Sequence, residues 1–252
     1  MKLFISFYLL VLSTICGGST PDIDQIRDNI INQFSQIEDY QVDIKISVKM
    51  TGFRMPKKKI KLYYKSPDKL KVKTKGFAIL PKTGADGNPN EFLDMFTDIT
   101  EIKLISHDNK SLYEITGNVN RDSLKIPIST EKDEIPNISM KVFVDADHWV
   151  MTKAAVYLES ENIFTIETSY IEVSQIMVPE KTVFKIGIKG ISRWSTQNPF
   201  DFGGPGSDRQ DFENIAKNAG YDKDKDEFVG EMVMKFSKYK INKGLDDSLF
   251  EE

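Results

Sequence analysis

Three aspartates at alternate positions, in the segment "DKDKDEFVGEMV", have the spacing that most resembles a metal-binding motif. Asp222, Asp224 and Asp226 fit the first, third and fifth positions of a calcium loop. The sixth position needs glycine for a sharp turn but holds Glu227, and the twelfth needs a bidentate glutamate but holds Val233. A solvated acidic loop is therefore the favoured interpretation, with calcium binding as the alternative.

Other residues that could carry out chemistry are few. The two histidines, His107 and His148, fall in predicted turns, and Cys16 is the single cysteine. Zinc needs three or four protein ligands. The sequence also lacks a G-x-S-x-G nucleophile elbow and a phosphate loop. We therefore expect no catalytic residue, no metal, no cofactor and no enzyme activity.

The N-terminus predicts export. Lys2 precedes an apolar run from Leu3 to Ile15, and small residues follow, which is typical of a secretory signal peptide and too short for a membrane span. We predict a signal peptide over residues 1–18 and an exported protein. Lipid anchoring at Cys16 is the less favoured alternative, because Ile15 precedes the cysteine.

Charge is distributed unevenly along the chain. The formal net charge of −4 gives no overall basic field, so we expect no nucleic-acid partner. Nine lysines nevertheless cluster between Lys57 and Lys75. They form either a solvated face that prevents edge-to-edge strand pairing, which is the favoured interpretation, or a surface for anionic headgroups or an acidic partner.

Alternating apolar residues predict strands with one apolar face. "QVDIKISVKMTGF" is one such strand, and "KIKLYYKSPDKLKVKTKG" supplies two more around a Ser66-Pro67-Asp68 turn. Their apolar faces either close a packed core or line a cavity for an apolar ligand. The residues expected to form the wall of such a cavity are Ile44, Ile46, Val48, Ile60, Leu62, Tyr64, Leu70 and Val72.

Helices are fewer than strands. "TPDIDQIRDNIINQFSQIEDY" predicts one long amphipathic helix with Thr20 as its N-cap. A short helix from Asn90 is expected to carry Phe92, Leu93 and Phe96 on one side, beside the loop Pro81–Pro89. This short helix is the candidate lid.

The rest of the chain predicts strands. We expect hairpins that turn at Asp108–Asn109 and at Asp145–His148, a break at "MVPEK" between two strands, and a last strand in "GEMVMKFSKYKIN". Residues 198–228 form a rim insertion with a helix over Asp208–Ala219. The fold class is α+β, mainly β: a single domain over residues 19–252 with about ten to eleven strands in a strongly curved antiparallel sheet, and helices as a lid.

The order of these elements resembles the lipoprotein-carrier (LolA-like) family of exported bacterial proteins. The resemblance rests on "YYKSPDKLKV", "VFVDADHWVMTKAAVYL", "ETSYIEV", "MVPEKTVFKI" and "YKINKGLDDSLF". It implies an incomplete barrel with a helical lid. It also implies a periplasmic carrier that holds acyl chains of a lipoprotein or lipid, with membrane-bound donor and acceptor proteins as partners.

The chain departs from the family pattern at one position. The residue before the proline of the early turn is Ser66, where family members carry an arginine implicated in lid closure. Lys65 is the nearest cation and therefore the candidate for lid control, although lysine lacks the forked donor geometry of arginine. We expect a monomeric carrier, with a lipid-sensing module that acts through a protein partner as the alternative.

Overall fold

A computed structural model of the chain describes residues 20–50, 53–54, 56–74, 90–120, 137–189, 221–222, 224–225 and 227–251. The predicted signal peptide with Cys16, the loop Pro81–Pro89, Asp226 and the helix Asp208–Ala219 of the rim insertion lie outside these residues. The described part contains two α-helices, twelve strands and a short 3₁₀ helix near the C-terminus. Their bounds are α1 Ile23–Ser35, β1 Asp39–Met50, β2 Phe53–Arg54, β3 Lys58–Lys65, β4 Lys69–Thr74, α2 Asn90–Leu93, β5 Phe96–His107, β6 Lys110–Val119, β7 Ile138–Asp145, β8 Met151–Leu158, β9 Glu161–Val173, β10 Ile176–Lys189, β11 Tyr221–Asp222, β12 Glu227–Ile241 and the 3₁₀ helix Asp247–Leu249.

Ten strands form one antiparallel sheet in the spatial order β4-β3-β1-β12-β10-β9-β8-β7-β6-β5. The short strands β2 and β11 pair with β1 and β12. Within the described residues, no strand pairing joins the edge strands β4 and β5, so the sheet stays open. The predicted incomplete antiparallel barrel is confirmed.

The inner face of the sheet carries one hydrophobic core. Val42, Ile44 and Ile46 of β1 and Ile60 and Leu62 of β3 are each at most 3% exposed, whereas Lys45 and Lys59 on the outer face are exposed. Alternation along the strands therefore assigns the two faces as the sequence predicted.

Helix α1 covers part of the inner face. Its N-cap is Asp22 rather than Thr20, because Asp22 and Gln25 form a capping box in which each side chain accepts a hydrogen bond from the other residue's backbone N–H. Ile26 and Ile30 of α1 are buried in the core of the sheet. The apolar stripe of the helix thus packs as its period of three and four residues predicts.

Two predicted boundaries are wrong. The helix that begins at Asn90 ends at Leu93, and Phe96 begins β5, where it pairs with Val119. This first part of β5 lies so close to β6 that a Cβ atom on Gly117 would collide with the carbonyl oxygen of Asp98. The backbone is therefore fixed in the sheet where a third helical turn was expected.

The second error concerns "MVPEK". β9 and β10 turn at Ser174 and Gln175, which both have positive φ, and "MVPEK" lies inside β10. Pro179 fits there because the pairing register shifts between Pro179 and Lys181, and a proline is tolerated at such a bulge. The predicted turns at Asp108–Asn109 and Asp145–His148 are confirmed.

Candidate ligand-binding cavity

A cavity of about 100 Å³ lies between α1 and the inner face of the sheet. Its roof is formed by Ile30, Gln33 and Phe34 of α1, together with Ile37 and Phe92. The strands and the β7–β8 turn supply the remaining lining residues, which are Tyr40, Val42, Trp149, Val150, Met151, Ile166, Thr168, Tyr170, Met177, Val178, Pro179, Thr182, Phe184, Phe236 and Tyr239. The lining is mostly apolar and carries no formally charged side chain among the described residues.

Polar atoms of the strands that line the cavity bond to the protein. The Tyr170 hydroxyl donates to the Met151 carbonyl at 2.8 Å, and the Tyr239 hydroxyl donates to the Pro179 carbonyl at 2.7 Å. Burial raises the pKa of both tyrosines, so both stay neutral. The Thr168 and Thr182 hydroxyls lie 3.1 Å apart and pair with each other. Because these donors already have acceptors, the strand side of the cavity suits an apolar ligand.

Trp149 reaches the cavity from the β7–β8 turn. The Asp145 carboxylate accepts hydrogen bonds from the backbone N–H groups of Asp147 and His148, at 3.0 and 2.9 Å. Burial alone would raise the pKa of Asp145, but these bonds and the His148 ring hold it below its usual range. The backbone N–H of Trp149 then donates a hydrogen bond to the backbone carbonyl of Asp145. The indole ring of Trp149 stacks on the ring of Tyr113, with the two centroids 5.5 Å apart. The turn therefore fixes an aromatic side chain at the cavity.

A β-bulge in β12 directs Tyr239 into the cavity. The register between β1 and β12 shifts between Gln41 and Asp43, and Lys238 has a φ of 59°. Because of the extra residue, Lys238 is exposed on the outer face of the sheet. The next residue, Tyr239, lies on the inner face and lines the cavity. The bulge thus re-aims one side chain, as bulges do near binding sites.

The C-terminal segment fixes the point where α1 leads into β1. The buried Asp39 carboxylate accepts hydrogen bonds from the backbone N–H groups of Lys243, Gly244 and Leu245, at 2.8 to 3.1 Å. The Asn242 side chain accepts from the Glu38 N–H at 2.9 Å. Asn242 and Gly244 both adopt a positive φ in this segment. Asparagine and glycine tolerate that conformation best, which explains the sequence "NKG".

The predicted wall residues lie elsewhere on the inner face. Six of them, Ile44, Ile46, Val48, Ile60, Leu62 and Tyr64, are buried in the core, and none of the eight lines the cavity under α1. Leu70 is 38% exposed and Val72 is half-buried, because β4 is an edge strand. The observed cavity lies instead near the start of β1, at Tyr40 and Val42.

The predicted lid residues separate in the structure. Phe92 lines the cavity, and Leu93 is 1% exposed in the core. Phe96 belongs to β5 and is not part of a lid helix. The sequence reasoning missed Arg27 of α1, whose guanidinium lies 3.6 Å from the Asp94 carboxylate next to α2. In the sequence, the signal for Arg27 was its spacing of three residues from Asp24, which allows an ion pair on one face of a helix.

Lys65 contacts the C-terminal segment. Its Nζ donates to the Leu245 carbonyl at 2.8 Å and lies 2.8 Å from Asp247. No hydrogen bond or ion pair joins Lys65 to α1 or α2 among the described residues. The structure therefore shows Lys65 bound to the C-terminal segment, and its role as a lid-control cation stays a prediction.

Within the described ranges, no three His, Cys, Asp or Glu side chains are grouped as a metal ion would need. The part of the chain that the structure describes holds no helix long and apolar enough to cross a membrane.

Solved structures share this architecture. A DUF1329 family protein from Desulfovibrio piger matches with a TM-score of 0.51 at 10% identity, over 91% of this chain and 97% of that one. A LolA superfamily protein from Nitrosomonas europaea (TM-score 0.48, 12% identity, 89% and 97% covered) and a putative outer membrane lipoprotein-sorting protein domain from Vibrio parahaemolyticus (0.49, 8%, 91% and 97%) are further neighbours. No family model and no curated protein matches the sequence. The match to the DUF1329 family protein shows a shared fold alone, and the LolA superfamily and lipoprotein-sorting structures are similar to this chain, as the sequence resemblance led us to expect.

Proposed function

We propose that this chain is an exported, non-enzymatic carrier that binds acyl chains of a lipoprotein or lipid beneath α1 and carries them through the periplasm toward the outer membrane. The observation that carries the proposal is the cavity under α1, whose lining is apolar and whose strand hydroxyls are already paired. Burying an acyl chain there would gain about 0.8 kcal/mol per methylene group. The gain grows with chain length, which suits a carrier of long acyl chains.

The size of the cavity sets a condition on binding. An engineered cavity of about 150 Å³ holds one benzene molecule, and the cavity here has about 100 Å³. An acyl chain therefore fits only if the roof moves. Helix α1 is the element that can do so, because it packs on the sheet through side chains and shares no strand pairing with it.

The predicted wall residues have a place in this proposal. Val42 lines the present cavity, and Ile44 and Ile46 follow it on the same inner face of β1. If α1 moves away, this apolar face becomes continuous with the cavity. Ile44, Ile46, Ile60 and Leu62 would then line the deeper part of an opened site.

Native mass spectrometry of the purified protein tests the proposal. The mass should include a lipid that is lost on organic extraction. Met177→Glu, which places a carboxylate at the cavity, should remove the lipid because a charge is costly in an apolar site. Val183→Glu, at a half-buried position of the same strand outside the cavity lining, should retain it.

A wild-type protein without lipid, purified from cells that contain membranes, would contradict the proposal. Recovery of one membrane protein instead of lipoproteins in a pull-down would favour the sensing module. The proposal also includes cleavage near Gly18, a monomer, and membrane-bound donor and acceptor proteins. Mass spectrometry of the mature N-terminus distinguishes it from a form anchored at Cys16.

A further inference from the structure

Four lysines stand side by side on the outer face of the sheet. Lys45 of β1 is paired in register with Lys59 of β3 on one side and with Lys235 of β12 on the other. Lys235 is in turn paired with Lys181 of β10. All four side chains are exposed, and together they cross four adjacent strands. We call Lys59, Lys45, Lys235 and Lys181 the lysine row.

The lysine row places like charges in direct register on adjacent strands. Like charges directly opposite each other in a sheet are destabilising. Several other outer lysines of the sheet have acidic partners: Lys141 lies 2.9 Å from Glu114, and Lys153 and Lys185 lie 3.2 and 3.1 Å from Glu167. None of the four row lysines forms an ion pair with a residue in the described ranges. Positive charge is thus concentrated in one place on a chain whose net charge is −4.

An open groove of about 640 Å³ extends this positive surface. It is lined by five lysines, including Lys45 and Lys59 of the row, and by one acid, Asp43. Asp43 faces Lys61 at 3.5 Å and Lys238 at 3.3 Å. One carboxylate therefore stands against five ammonium groups, and most of the positive charge of the groove stays uncompensated.

The chemistry of the row favours a diffuse anionic surface over a defined acidic protein. The row contains lysines and no arginine, and lysine lacks the forked geometry that recognises single carboxylates and phosphates. Lysine is depleted in protein–protein interfaces, which depend on aromatic and arginine anchors. Evenly spaced lysines on a sheet, about 4.8 Å apart from strand to strand, need no fixed register with laterally mobile lipid headgroups. We propose that the lysine row binds an anionic membrane surface.

The lysine row is separate from the cavity. Thr182 and Phe236 line the cavity from the inner face, and their chain neighbours Lys181 and Lys235 point outward. The two surfaces are opposite faces of the same strands. This inference therefore does not rest on the proposed function, and membrane binding should be the same with the cavity empty or filled.

Vesicle binding by two matched variants tests the inference. The row variant carries Lys45→Gln, Lys59→Gln, Lys181→Gln and Lys235→Gln. The control carries Lys141→Gln, Lys153→Gln, Lys185→Gln and Lys189→Gln, which remove the same charge from lysines that lie in ion pairs. Both variants and the wild type share one N-terminus, so differences between them belong to the substituted face.

The wild type should sediment with vesicles that contain phosphatidylglycerol and not with pure phosphatidylcholine vesicles, and added salt should release it. Each lysine near an anionic bilayer strengthens binding about fivefold, so the row variant, which loses four, should bind several hundredfold more weakly, on the order of 600-fold. The control should stay within about threefold of the wild type, because its lysines are already paired.

Equal losses in both variants would overturn the inference, since net charge alone would then explain binding. Binding to polyglutamate without binding to anionic vesicles would also overturn it and point to an acidic protein partner. A thermal melt checks folding: the row variant should be at least as stable as the wild type, because the substitutions remove repulsion between paired lysines.

Discussion

Replacing Phe34 by alanine should show whether α1 is the moving roof of the cavity. The Phe34 ring is half-buried, and its centroid lies 5.7 Å from that of Tyr64. Full burial of a phenylalanine is worth about 1.5–3 kcal/mol, so half burial gives about 1 kcal/mol. An aromatic pair adds about 0.5–1.5 kcal/mol. Phe34 thus holds α1 on the sheet with about 2 kcal/mol in total.

These contacts are lost when the roof opens. Their removal should shift the population toward the open state, and apparent affinity rises with the fraction of molecules that can bind. Since about 1.4 kcal/mol corresponds to tenfold, the loss of about 2 kcal/mol should let Phe34→Ala bind a fluorescent acyl probe up to about 25-fold more tightly. The same variant should lose about 2 kcal/mol in urea unfolding.

Ile26→Ala is a second test on the same helix. Ile26 is 0% exposed and does not line the cavity, so the change should cost about 2–5 kcal/mol of stability. Because Ile26 also packs α1 on the sheet, probe affinity per folded molecule should rise in this variant as well. Unchanged or weaker probe binding by folded Phe34→Ala would refute the view that α1 must move to admit the ligand.

Three further predictions concern the fold. Leu62→Glu should lower the urea midpoint strongly, because Leu62 is 1% exposed and a buried carboxylate has no partner there. Lys61→Glu on the outer face should change stability by about 1 kcal/mol or less. Similar midpoints for the two variants would contradict the assignment of faces. Asp39→Ala should cost about 3 kcal/mol in urea unfolding by leaving three backbone N–H groups without their acceptor, and a cost under about 1 kcal/mol would refute this role. Asp145→Asn should be less stable than the wild type at pH 7, and the difference in unfolding free energy should shrink as the pH falls below about 4. The reason is that the pKa of Asp145 is lowered in the folded protein, so the carboxylate stabilises the fold only while it is ionised. A difference that does not depend on pH would contradict this role of the Asp145 carboxylate.

The sequence was sufficient to predict the sheet because its signals are local. Alternation along β1 and β3 assigned Leu62 to the inner face and Lys61 to the outer face, and both assignments are confirmed. The turn at Asp108–Asn109 was also predicted correctly. Errors arose where pairing overrides local preference: Phe96 continues a helical pattern but is fixed by Val119, and Pro179 reads as a break but is accommodated at a bulge.

The position of the cavity could not be predicted in the same way. Alternation says which face of a strand is apolar, but it does not say where a helix crosses that face and leaves space. The cavity depends on Trp149, which reaches it through the turn held by Asp145, and on Tyr239, which reaches it through a bulge. The contact between Lys65 and Asp247 could not be predicted for a similar reason, because the two residues are distant in sequence.

Fluorescence of Trp149 gives the most direct test of the central claim that an acyl chain occupies the cavity under α1. The chain has two tryptophans, and Trp194→Phe would leave Trp149 as the only one. Because Trp149 lines the cavity, a fatty acid that carries bromine on its chain should quench its fluorescence in a saturable manner, and the unbrominated fatty acid should reverse the quenching. Binding of the brominated fatty acid without quenching of Trp149 would place the acyl chain elsewhere and contradict the account.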